Sequence, residues 1–279
     1  MLLLLAMFSV STSPIIARYL ETVPAVAISF WRMGFGAFIL WLISIFKKQV
    51  VLENENFKRT IIAGFFLGIH FALFFGSLKL TTIANATFLG TLAPVITFIL
   101  EKYILKRKQP TILVWGLILA VIGTIIIVSN KFDFSSDYTI GNLLAISCSI
   151  FLGFAFIISE NVRKKVGTVS YSRTLFTVAA ITLFIIALIT KVNLFGYTSY
   201  QYFGLLLLGI IPTLLGHGSM YYAIRYVSPT IVASIPMGEP IIASILAWIL
   251  FQEKVGVVII FGGSITLLGL ILLVQKNNN

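Results

Sequence analysis

Charge is scarce in this chain: of 279 residues only 10% are charged and nine are acidic, and there is one cysteine and two histidines. Soluble domains carry roughly 25% charged residues, so a water-facing surface over most of the molecule is excluded. The single thiol, Cys148, lies inside an apolar run, which rules out an intramolecular disulfide and any cysteine-based metal cluster. It reads as a small packing residue. Two separated histidines with no acidic cluster beside them do not make a metal site, and no bound cofactor is expected. A Walker A pattern is also missing, so the chain has no nucleotide site of its own to drive work. The net charge of +11 would suit nucleic acid, but Lys and Arg punctuate apolar runs instead of gathering on a soluble face. Nucleic acid is excluded as a partner.

What the chain has is hydrophobic length, 59% of its residues. A helix needs about 20 apolar residues to cross the hydrocarbon core. Cutting at charges and turn residues predicts ten spans, at 2–18, 24–46, 60–80, 82–105, 111–129, 139–160, 170–190, 200–224, 229–251 and 255–275. The N-terminal run lacks the basic start of a signal peptide and reads as a short first span. Short basic loops stay in the cytoplasm. With the N-terminus inside, the inner connections hold thirteen Lys and Arg (47, 48, 58, 59, 102, 106, 107, 108, 163, 164, 165, 225, 276) and the outer ones five (18, 79, 131, 191, 254). Both termini are therefore expected in the cytoplasm.

The sequence also repeats itself. A shift of 146 residues lays 78–100 on 224–246 without a gap, so that Pro94 meets Pro240, and further on Gly116 meets Gly262 and Gly123 meets Gly269. A shift of 141 aligns Arg32 with Arg173. Two halves of five spans follow, 1–130 and 138–279, joined by the polar linker NKFDFSSDY. Five is odd, so the second half is inverted relative to the first. The expected fold is an all-α integral membrane protein of ten helices in two inverted five-helix repeats, a build shared by many secondary transporters with midplane substrate sites.

The fourth and ninth spans each carry a proline, an aliphatic run and a charged turn, the ninth reading MGEPIIASILAWILFQEK. Together with the ten-span, two-repeat pattern this resembles the drug/metabolite transporter superfamily of the EamA type, over essentially the whole chain. The family's usual Gly-Glu after the ninth span is replaced by Gln252 and Glu253, and its first-half counterpart by the basic turn around Arg107. The resemblance implies export or exchange of small metabolites, amino acids among them, across the plasma membrane. It does not fix the substrate.

Of the acidic residues, Glu21, Glu53, Glu55, Glu101, Asp133, Asp137, Glu160 and Glu253 fall in connections or at helix ends; Glu239 alone is mid-span. A charge there costs roughly 2.5–3.5 kcal/mol on insertion scales and normally faces a cavity or a partner. It sits in SIPMGEP, where Pro236 and Pro240 each remove a backbone donor. Irregular backbone at that depth is tolerated where it lines water or is buried in protein. Glu239 is thus a candidate to bind a substrate ammonium or a proton, with a paired, structural glutamate as the alternative; its symmetric position is Ala93. Pro94, Pro236, Gly238 and Pro240 are the candidate helix hinges.

Arg32 lies eight residues beyond Pro24, too deep to reach the interface easily, and is a candidate partner for Glu239 or for a substrate carboxylate, with an interfacial or packing arginine as the alternative. Arg173, at the start of its span, reads as an interfacial anchor. His70 shares a helix face with Phe74 and Ser77, and His217 with Tyr221. Each set suits either a cavity wall or a hydrogen bond between helices. Trp31, Tyr222, Asn85 and Thr87 are secondary candidates, and Gly116, Gly123, Gly262 and Gly269 read as packing surfaces. The function expected is a secondary transporter for a small solute, an exporter working by alternating access with proton or exchange coupling, and not an enzyme. Homodimers stay open. The alternatives are a non-transporting receptor or scaffold, and an intramembrane enzyme acting on lipid, which the lack of clustered acid, base and nucleophile disfavours.

Overall fold

The computed structural model describes residues 1–47, 49–129, 135–252 and 255–275, with the side chains of residues 83 and 84 also outside the description. Lys48, Lys131, Asp133, Glu253, Lys254, Lys276 and most of the polar linker thus lie outside the described residues. Among those described, every regular element is helical. Nine helical segments are long and apolar enough to cross a membrane, and Leu2–Arg18 is a shorter apolar one.

The ten expected spans are all present, with moved ends and broken interiors. Six are single uninterrupted helices: the second (Ala25–Phe46), third (Asn54–Leu80), fifth (Thr111–Val128), sixth (Thr139–Arg163), seventh (Thr168–Ile189) and tenth (Val257–Val274). The third begins earlier than its apolar run because the polar turn Asn54–Thr60 continues the helix past the hydrocarbon, with Arg59 bonded to Glu55 one turn back at 2.5 Å. Helix starts are fixed locally: the Thr82 and Ser228 hydroxyls accept from Asn85 N and Ile231 N, and Thr198 forms a capping box with Gln201.

Four spans are interrupted, each beside a proline. The first splits into Leu2–Ser11 and Ser13–Arg18 ahead of Pro14. The fourth splits into Ile83–Gly90 and Ala93–Ile99 around Pro94, then ends in a π-helical turn Leu100–Ile104. The eighth carries a π-helix Gly209–His217 containing Pro212, between Ser199–Leu208 and Gly218–Ala223. The ninth runs Pro229–Ser234, a 3₁₀ turn Ile235–Gly238, then Glu239–Phe251. Proline has no N–H and crowds the preceding turn, so the helix must change its winding there.

Packing follows the internal symmetry. The second span packs on the seventh, the fourth on the ninth and the fifth on the tenth, each against its own repeat mate; the third packs on the sixth, as the eighth does on the first. The fifth and tenth cross at glycines. A Cβ on Gly116 would lie 2.9 Å from Gly269 O, one on Gly269 2.6 Å from Gly116 O, and one on Gly123 2.6 Å from Gly262 O. Backbone therefore touches backbone, the close approach that small residues permit between membrane helices. Gly123→Val should lower the melting temperature in detergent by the equivalent of about 1–3 kcal/mol through overpacking, whereas Gly167→Ala, which meets nothing within 4 Å, should leave it unchanged.

Candidate functional site

The break in the ninth span puts a helix N-terminus at mid-depth, and Glu239 is the first residue of that helix. Backbone dipoles favour negative charge at such an end. Gly238, just before it, is pressed against the first span so closely that any side chain would collide with Met7 Sδ. The turn is thus held from one side, while Glu239 itself retains accessible surface. Among the described residues its carboxylate makes no ion pair; the charge that acts on it is Arg32.

Arg32 is buried in the second span, 3% exposed. Its Nε donates to Thr213 Oγ1 of the eighth span at 3.1 Å, and its guanidinium lies 4.5 Å from the ring centroid of Phe71 in the third. The terminal nitrogens make no protein hydrogen bond among the described residues. Phe71 in turn meets His217 edge-on at 5.5 Å. His70, beside Phe71, bonds through Nδ1 to Cys148 O at 3.0 Å, and the Phe74 ring lies nearly parallel to it at 6.3 Å. Arg32, His70 and His217 lie within electrostatic range of one another. Nδ1 of His217 and the hydroxyl of Tyr221, one turn on, are buried without a hydrogen-bond partner. Buried polar atoms are normally paired; of these two orphans His217 is the one within electrostatic range of Arg32, while Tyr221 packs among Phe156, Tyr171 and Phe176.

Other candidates lie outside this group. Ser77 donates back to Phe74 O within its own helix. Trp31 donates to Leu194 O at 2.7 Å and packs among Phe30, Phe35, Phe195 and Tyr202, toward the opposite end from the basic loops. Asn85 donates to Asn142 Oδ1 at 2.8 Å, joining the fourth span to the sixth, and Tyr222 is exposed beside Tyr226. Arg173 lies over the Trp41 ring at 4.5 Å.

A second polar group, at the basic end, was not singled out by the sequence. Arg107 reaches Glu101 Oε1 at 2.9 Å and Glu160 Oε2 at 2.9 Å, and Lys164 reaches Glu160 Oε1 at 2.8 Å. The other oxygen of Glu101 accepts from Thr230 N and from its hydroxyl. Glu101 and Glu160 are at helix ends as expected, but they are buried, 0% and 5% exposed. Partial burial works against the charge on Arg107, yet Glu160 and Glu101 outweigh it and hold the group above its ordinary range. Of these contacts only the i, i+4 pair Glu160–Lys164 has a local signature. Arg163, counted above as a loop charge, is also buried and bonds Tyr221 O, Val166 O and Thr168 Oγ1.

A model of the EamA-like transporter family matches residues 1–129 and again residues 139–275. The chain belongs to the EamA-like transporter family. The curated relatives include the "Pseudopaline exporter CntI" of Pseudomonas aeruginosa, 23% identical over 94% of this chain and 91% of that one. The "Uncharacterized transporter YxxF" of Bacillus subtilis is 22% identical over 80% of this chain and 73% of its own. A solved crystal structure superposes with a TM-score of 0.83 at 15% identity, covering 97% of this chain and 94% of the other, and shows the fold.

Within this EamA-family chain the two polar groups have different chemistry. The basic-end carboxylates are both ion-paired, and Glu101 also accepts from Thr230, whereas among the described residues Glu239 makes no ion pair and has only the charge of Arg32 within electrostatic range. Breaking the first should cost stability and neutralising the second should not. Glu101→Ala is expected to lose about 2 kcal/mol or more, since Thr230 and Arg107 lose their acceptor. Glu239→Gln should keep or raise the melting temperature in detergent. Equal losses for both variants would show that Glu239 is a structural pair member.

Proposed function

We propose that this EamA-family chain is a secondary transporter that exports a small polar or amphipathic metabolite, amino acids and related solutes among them, across the plasma membrane. The observation that carries this reading is Glu239: a carboxylate that makes no ion pair among the described residues, at the mid-depth break of the ninth span, within electrostatic range of a guanidinium whose terminal nitrogens are unengaged. Arg32 would take an anionic group of the solute, and Glu239 an ammonium or a proton. His217 and Tyr221 supply unpaired polar atoms, with His70 and Phe74 behind them. Export, as opposed to uptake, is favoured by the relative named as an exporter. Proton or exchange coupling supplies the energy, and the bias of basic loops to one side supports the reading that both termini are cytoplasmic.

Transport proceeds by alternating access between the two halves, 1–130 and 138–279, with Pro94, Pro236, Gly238 and Pro240 as hinges. At the basic end Arg107 ties the turn after the fourth span to the sixth, and Glu101 ties it to the ninth. On this reading those contacts part whenever the pathway opens to the cytoplasm. Arg107→Gln should therefore increase at least twofold the rate at which a membrane-impermeant maleimide added from that side labels Ser159→Cys in a Cys148→Ser background; no change would leave the cluster a static brace.

The deciding experiment is uptake and counterflow of labelled amino acids and small amines in proteoliposomes under an imposed pH gradient. Wild type should move at least one solute unaltered, and Glu239→Gln should lose at least tenfold of the rate or lose its pH dependence. Product formation without flux would instead indicate an enzyme, and neither flux nor product from folded protein a scaffold.

A further inference from the structure

The eighth span explains how Arg32 can be an organised binding group and not a loose one. Pro212 cannot donate to Leu208 O, the carbonyl one α-turn earlier. The hydroxyl of Thr213 donates to that same carbonyl at 2.9 Å. A threonine hydroxyl has one proton. With it committed to Leu208 O, only lone pairs remain, and they face the Nε–H of Arg32 at 3.1 Å. The sequence pair Pro-Thr thus creates an acceptor of fixed direction inside a helix, where backbone acceptors are otherwise used up. Thr213 is fully buried, so no water competes for it.

Two glycines bring the acceptor into reach. A Cβ on Gly209 would lie 2.7 Å from Phe35 Cβ, and one on Gly36 would lie 3.0 Å from Thr213 Cγ2. The second and eighth spans therefore close on each other at this level. Phe71 covers a face of the guanidinium from the third span. A planar group held at its Nε edge and on its face has one way left to bind, through the two terminal nitrogens, which is the bidentate geometry that carboxylates prefer.

We infer that Thr213 is a positioning residue: through its bond to Nε it fixes the guanidinium of Arg32 so that the terminal nitrogens present themselves to the solute. The inference rests on the reading of Arg32 as a solute-binding group. Without the pin, Arg32 keeps its charge but samples other rotamers, so apparent affinity falls while the maximal rate changes little.

The test compares wild type, Thr213→Val and Thr213→Ser, with Arg32→Ala alongside, in two readouts. One is counterflow of labelled glycine, leucine and phenylalanine in proteoliposomes; the other is the ¹⁵Nε–H resonance of Arg32 in lipid nanodiscs. Thr213→Val preserves shape and removes the acceptor, and is expected to raise the half-saturation concentration about tenfold at little cost in maximal rate, and to lose the slowly exchanging Nε–H signal. Thr213→Ser should restore both. A valine variant that retains the signal, or one with unchanged half-saturation while Arg32→Ala is impaired, overturns the inference and leaves the transporter reading standing. If Arg32→Ala transports as wild type does, the reading of Arg32 as a binding group fails and the inference falls with it. If wild type moves none of the three solutes, the Arg32 signal decides alone whether Thr213 holds the group.

Discussion

In hydrocarbon there is no water to satisfy a backbone carbonyl or amide, so every group a proline releases must find a partner inside the protein. This constraint organises the molecule. Pro94, Pro212, Pro236 and Pro240 sit within or beside breaks of three spans, and each of those spans contributes a member to one of the two polar groups: Glu101 from the fourth, Thr213 and His217 from the eighth, Glu239 and Thr230 from the ninth. The eighth answers its proline with a π-helix and a threonine hydroxyl. The ninth answers with a 3₁₀ turn, and the restarted helix begins on Glu239. Breaking a helix in a membrane therefore does two things together: it allows bending, and it places a polar helix end where hydrocarbon would otherwise be.

Charge is accounted for on the same terms. A buried carboxylate is tolerable when cations and hydroxyls surround it, as around Glu101 and Glu160, where attraction offsets desolvation. Among the described residues Glu239 has no ion pair, only the more distant charge of Arg32. The cost of keeping it is what the proposed binding role accounts for, because a site that satisfied its own carboxylate completely would have nothing left to offer a solute. The two histidines differ in the same sense. His70 is anchored on Cys148 O while His217 keeps an unpaired nitrogen.

Much of this was legible in the linear chain, for identifiable reasons. Apolar runs of membrane length have one stable form, so the ten spans could be read with small errors at their ends. Those errors arose where helix continued beyond the hydrocarbon, as at Asn54–Thr60, since apolarity marks the membrane and not the helix. The aligned glycines of the fifth and tenth spans were read as packing surfaces, and backbone contact at Gly116, Gly123, Gly262 and Gly269 explains why no larger residue stands there. Glu239 and Arg32 stood out because a lone charge amid hydrocarbon is costly wherever its partners are. Thr213, Phe71 and the Glu101–Arg107–Glu160 cluster did not: a threonine, a phenylalanine and helix-end charges are ordinary in such a chain, and their roles depend on residues far away in sequence.

By itself, then, the sequence determined the membrane class, the number of spans, the repeat and the one carboxylate at mid-depth, because each follows from local transfer energies or from similarity along the chain. Only the tertiary structure decided which groups meet. Helix faces turn by about 100° per residue and cross at angles that side-chain packing selects, so whether Arg32 touches Glu239 or Thr213, and whether Glu101 meets water or Arg107, is fixed by how ten helices fit together and by nothing within any one of them.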